Sequence, residues 1–199
     1  MERLTTSENH QVPVSLTPDG TTLAFVEKNP ETGFDINLLD MKSRKVTPFL
    51  NSKADEKNPE ISPDGHWMAY TSEESGRMEL YVRPFPGPGG KWQISAEGGY
   101  MPIWSRDEKR LHYVGRTNDE YWTADVHTGG TFSVGKSRLL FKSADFLNGN
   151  PYPTMDTSLD GRRFLMAKLG DWNAQPVTEL ILVQNWFEEL KRLAPTNKK

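Results

Sequence analysis

Glu60 and Asp156 stand at the same phase of a repeating pattern, four positions before a turn aspartate, where two further copies carry Ser15 and Ile103. Two carboxylates at one mouth of a channel are the minimum equipment for cleaving a glycosidic bond, which needs them roughly 5 to 10 Å apart. They would serve equally to recognise a polar ligand. Tyr100, in the loop "AEGGYM", and Trp104, in "PIWS", add aromatic surface suited to stacking on a ligand or to packing between sheets. Glu60, Tyr100, Trp104 and Asp156 are therefore the candidate ligand contacts, with a solvated rim as their plain alternative.

The turn aspartates themselves, Asp19, Asp64, Asp107 and Asp160, recur at spacings of 43 to 53 residues. Oxygen ligands recurring in this way suggest calcium, but an aspartate in a turn ordinarily bonds its own backbone amides, and that reading is preferred. His10, His66, His112 and His127 fall at different phases of the repeat, and the chain has no cysteine, so neither a metal site nor a cofactor is expected. No Gly-x-Ser-x-Gly elbow occurs, no GxGxxG loop and no His-Arg-Asp triplet, and Asp145-Phe146 is followed by Leu147. Nucleophilic hydrolysis and phosphoryl transfer are thereby excluded for this stretch of chain, which is expected not to be an enzyme.

A net charge of −3 over 199 residues, without a basic stripe interleaved with aromatics, gives no footprint for nucleic acid. No apolar run is long enough to span a bilayer, "MERLTTSENH" lacks the apolar core of a signal peptide, and "LKRLAPTNKK" is a short basic tail.

The elements that must position these residues follow from the turns. In Ser62-Pro63-Asp64-Gly65, proline presets φ, aspartate suits the third position and glycine accepts the left-handed conformation that follows. Gly20 and Gly161 repeat the glycine; the third copy has Glu108, which predicts an opened or reshaped turn because a left-handed glutamate costs about 1–2 kcal/mol. Two positions before each aspartate lies Thr17, Ser62, Ser105 or Ser158; four after it lies Leu23, Met68, Leu111 or Phe164; six after it lies Phe25, Tyr70, Tyr113 or Met166. Each copy continues into later strands of alternating or continuous apolar character.

Four strands per unit at this period define propeller blades, with a β-sandwich as the competing all-β architecture. The reading is an all-β propeller of about four four-stranded blades forming one domain over 1–199: blades at 10–50, 58–96, 100–143 and 152–186, an N-terminal strand at 2–6 and a short C-terminal helix at 186–194. Strand 2–6 is expected to pair with Glu179 to Trp186 and close a small ring; the rival is an open part of a larger propeller, prone to self-association.

The "SPDG" turns with the "LAF", "MAY" and "LYV" strands resemble TolB-type, WD-repeat-like propeller repeats of bacteria. From Asn58 onward, "ESGRMELYVRPFPGPGGKWQIS", "PIWSRDEKRLHYV" and "NWFEELKRLAP" resemble the C-terminal propeller portion of bacterial membrane-anchored serine/threonine protein kinases, over about residues 3 to 195. The resemblance implies a noncatalytic sensor or scaffold module, held outside the cytoplasm, that binds a protein, a peptide or a small polar ligand. The alternative is an enzyme using the channel-mouth carboxylates on a carbohydrate. Such propellers commonly have more than four blades, so the resemblance also implies a fragment or a shortened relative.

Overall fold

The computed structural model describes residues 3–146, 154–158 and 163–168. Among these residues fifteen strands form antiparallel sheets, in which most strands lie beside a sequence neighbour. The first blade is β1 (Gln11–Leu16), β2 (Thr22–Asn29), β3 (Gly33–Asp40) and β4 (Val46–Leu50), in that spatial order. The second is β5 (Glu56–Ile61), β6 (Trp67–Ser72), β7 (Glu79–Pro84) and the short β8 (Trp92–Gln93). The third is β9 (Gly99–Trp104), β10 (Arg110–Gly115) and β11 (Glu120–His127), and its outer edge is shared by two pieces, β12 (Ser133–Val134) and β13 (Arg138–Lys142), where the sequence indicated one. The fourth contributes β14 (Met155–Thr157) and β15 (Phe164–Met166).

One local network builds every well-described hairpin between the first and second strands. Arg110 N donates to Ser105 Oγ at 2.9 Å, that hydroxyl donates to Asp107 Oδ1 at 2.6 Å, and Lys109 N donates to the same carboxylate at 3.2 Å. The same three bonds join Thr22, Thr17, Asp19 and Thr21, and again Trp67, Ser62, Asp64 and His66. In the fourth copy Arg163 N donates to Ser158 Oγ at 3.1 Å; Asp160 and Gly161 lie outside the described residues. The hydroxyls of Thr17 and Ser105 hold the carboxyls of Asp19 and Asp107 below the ordinary range. Carboxylates so engaged are turn formers, in keeping with the preferred reading of their spacing.

The third turn corrects an expectation. Glu108 is not displaced: it sits at φ 58°, beside 72° for Gly20 and 75° for Gly65, and its N–H donates to Ser105 O as Gly65 N–H does to Ser62 O. The side-chain bonds around Ser105 outweigh the left-handed penalty of about 1–2 kcal/mol. A second correction concerns the N-terminal strand at 2–6. Residues 3–6 are not in a strand; Arg3 bonds Glu8 and the Ser7 carbonyl, while Ser7, Asn9 and Gln11 converge on Glu27, so local polar bonds replace a ladder. Its expected partner at Glu179 to Trp186 and the helix at 186–194 lie outside the described residues.

Strands buried on both faces stack blade on blade. Ala24, Val26, Ile36 and Leu38 meet Ile61, Met68, Tyr70 and Phe85 between the first and second blades. Trp67, Ala69, Leu80 and Val82 meet Trp104, Leu111, Tyr113 and Phe132 between the second and third. Between the third and fourth the apolar set is Tyr100, Ile103 and Tyr121 against Met155, Phe164 and Met166. His112 joins that last interface, paired across the sheet with Ile103 and Thr123 and with its ring edge-on to Phe164 at 5.0 Å. Neither ring nitrogen has a hydrogen-bond partner among the described residues.

Two stability predictions follow from these packings. Gly65→Val, strained at φ 75°, lowers stability by about 1–2 kcal/mol, and Glu108→Gly raises it by about 1 kcal/mol, both read from denaturant midpoints; equal midpoints for Gly65→Val and the parent would refute the turn account. Burial first, then the charges of Arg110 and Arg138, push His112 down to about 4 against the partial opposition of Asp107. A histidine kept neutral by the fold stabilises fully above its unfolded value of 6.5, and that contribution is lost as pH falls from there toward 4. His112→Leu should remove an acid-side loss of about 2–3 kcal/mol between those limits, visible as a flatter Tm profile.

Candidate functional site

The first strands of all four blades turn one edge toward a common cavity of about 580 Å³. Its wall is Val14, Ser15 and Leu16 from β1, Asn58, Pro59 and Glu60 from β5, Met101, Pro102 and Ile103 from β9, and Met155 and Asp156 from β14 with the preceding Thr154, together with Leu165 and Met166 of β15, Ala167 and Arg106. A smaller adjoining space of about 190 Å³ shares Ser15, Glu60, Arg106 and Asp156 and reaches Trp104.

The strands enter this wall through bulges. Register slips between Lys57 and Glu60 on β5 and opposite His112 and Val114 on β9. At these points Asn58 and Met101 adopt φ of 52° and 53°, and each is followed by proline. Left-handed non-glycine residues cost about 1–3 kcal/mol each and persist where the surrounding packing imposes them; here Asn58 and Met101 are 4% and 3% exposed. The bulges re-aim the two residues that follow. Neighbouring inner strands are then tied directly: Ile61 N donates to Ser15 Oγ at 3.0 Å, and Trp104 Nε1 donates to Glu60 O at 3.0 Å.

Glu60 and Asp156 are brought to the same cavity. Asp156 is exposed on β14, with Arg106 Nη2 3.8 Å from its Oδ1. Glu60 is only partly exposed, and no described residue donates a hydrogen bond to its carboxyl. Desolvation first and the Asp156 charge second push the Glu60 carboxyl up to about 8, against the pull of Arg106. Glu60 is thereby biased toward its neutral form, beside Asp156.

The two aromatic candidates are placed differently. Trp104 is 3% exposed and packs between the second and third blades, its indole N–H bonded to the Glu60 carbonyl, so it braces the wall. Tyr100 is 7% exposed, lies among the residues between the third and fourth blades and donates to Asn118 Oδ1 at 2.8 Å; it does not line the cavity. This corrects its assignment to the mouth. The bulge at Met101 turns Tyr100 inward. Arg106 was missed: it occupies the turn position held by Pro18 and Pro63 in the first two copies, and that departure was the available signal. Among the described residues no group of three His, Asp or Glu side chains is arranged to hold a metal ion, and no helix is long and apolar enough to cross a membrane.

No family model matches the chain. A TolB homologue of Chlorobaculum tepidum is 30% identical over 86 residues, which are 43% of this chain and 19% of that protein. Among solved structures, a putative TolB from Agrobacterium tumefaciens superposes with a TM-score of 0.60 at 20% identity, over 83% of this chain and 61% of that one. An oligogalacturonate lyase from Vibrio parahaemolyticus superposes with a TM-score of 0.55 at 10% identity, over 87% and 51%. The chain thus covers less than two thirds of each of these proteins. Blades, turns and superpositions together define a TolB-like β-propeller fold.

Because its folded value lies above the ordinary 4.5, Glu60 favours the fold at low pH and withdraws that contribution as pH rises toward 8. Glu60→Gln should leave Tm unchanged near pH 4 and raise it at pH 9 by the equivalent of about 1–2 kcal/mol. Identical Tm profiles for the two proteins would refute the burial of this carboxyl.

Proposed function

We propose that this chain is a noncatalytic binding propeller whose ligand, a protein segment, a peptide or a small polar molecule, enters the cavity between the inner strands. The observation that carries this is the cavity itself: about 580 Å³, within the usual range for ligand sites, walled by every inner strand and holding a carboxyl with no hydrogen-bond donor among the described residues. The finer reading is that the chain is one repeat domain over 1–199 and a fragment or relative of the sensor or scaffold region of a bacterial serine/threonine kinase, held outside the cytoplasm. It is supported by "ESGRMELYVRPFPGPGGKWQIS" and the terminal "NWFEELK".

A second reading has one observation in its favour. A neutral Glu60 facing an exposed Asp156 is the acid and carboxylate pairing that sugar-cleaving sites use, and the fold is shared with an oligogalacturonate lyase. The two readings separate in one pair of assays. Ala167, exposed on the cavity wall, is replaced by tryptophan to fill the space. On a peptide array the parent should retain a subset of peptides, and Ala167→Trp should lose them. Incubated with oligogalacturonate, the parent should release no product. Product formation abolished in Glu60→Gln would establish the enzyme instead, and an array blank for every peptide would remove the peptide-binding form of the proposal.

A further inference from the structure

Two residues of the cavity wall depart from their equivalents in the other blades. Five positions after the turn aspartate, Ala24, Ala69 and His112 are 0%, 0% and 3% exposed, whereas Leu165 is 72% exposed. Three positions before it, Ile61, Trp104 and Thr157 are 6%, 3% and 7% exposed, whereas Leu16 is 50% exposed. At internal interfaces these positions are covered by the adjoining blade. Here both leucines line one concave space, together with Val14 and Met166. Apolar surface left wet inside a cavity is what the hydrocarbon part of a ligand covers.

The polar end of the same space has the opposite deficit. Among the described residues, Glu60 from β5 and Asp156 from β14 face a single cation, Arg106, which reaches Asp156 at 3.8 Å; β1 contributes only the Ser15 hydroxyl, already accepting from Ile61 N. No described residue donates to the Glu60 carboxyl. An anionic ligand would meet two acids, whereas a cation favours the ionised form of Glu60 and supplies the hydrogen-bond donor that its carboxyl lacks among the described residues.

We propose that the cavity binds an amphipathic cation, its apolar body on Leu16 and Leu165 and one ammonium or guanidinium group between Glu60 and Asp156. This deepens the binding reading above and rests on it. The head group belongs equally to a lysine or arginine side chain of a peptide or to a free alkylamine. Seating the cation ionises Glu60, so binding near pH 7 releases a proton and strengthens as pH rises toward 8.

The test is calorimetric titration of the full chain with n-hexylammonium, hexanol, hexanoate and a blocked Leu-Lys-Leu peptide, at pH 6 and pH 8 and in buffers of different ionisation enthalpy. Hexylammonium should bind at least about tenfold more tightly than hexanol, more tightly at pH 8 than at pH 6 and with proton release, and hexanoate should give no heat. Glu60→Gln should remove the preference for hexylammonium and the proton release while leaving hexanol binding unchanged, a pattern that unfolding would not produce. Whichever of hexylammonium and the peptide binds more tightly identifies the source of the head group, and either order supports the proposal. Equal affinity for hexylammonium and hexanol, or hexylammonium binding unchanged in Glu60→Gln, would overturn it. The peptide-binding form of the broader reading fails separately, on an array that retains no peptide.

Discussion

The structure depends on a hydroxyl group that bonds in two directions at once. In each well-described blade the side chain of Thr17, Ser62 or Ser105 accepts the amide five residues ahead and donates to the aspartate two residues ahead, which fixes where the second strand starts relative to the first. Because side chains alternate along a strand, an error of one residue at this point would send every interblade contact to the wrong face. The packing of Trp67 against Phe132 is therefore downstream of a bond made by a single oxygen.

Much of the fold was legible in the sequence because this device is local. Its residues lie within six positions of one another, and their recurrence gives the blade period without knowledge of any long-range contact. The same locality explains the misjudged third turn. Glutamate is unfavourable at φ 58° when considered alone, but Ser105, Asp107, Lys109 and Arg110 constrain it jointly. Tyr100 and Trp104 were harder for a different reason. In strands buried on both faces, alternation does not say which face meets which neighbour, and a bulge at Met101 shifts the phase midway. Glu60 and Asp156 were recognisable as a pair because both hold the same phase. Arg106 was not, since it sits inside a turn motif that had already been given a structural meaning.

The cavity gathers several energetically unfavourable features of the described strands. Two left-handed non-glycine residues, an acid whose carboxyl is pushed toward its neutral form, and leucines exposed at 50% and 72% line one space. Their concentration in one place sets the cavity wall apart from the turns that maintain the blades.

Pro13, Pro59 and Pro102 lie on β1, β5 and β9, inner strands that among the described residues pair on one side only. A bare strand edge is a template: another extended chain can zip onto it through backbone hydrogen bonds, whatever its sequence. Proline removes an amide from that template in three successive blades. An extended segment entering the channel therefore finds no continuous ladder to join. Recognition in this space is left to side chains, where selectivity can change by single substitutions and where a second copy of the same repeat gains nothing from its own likeness.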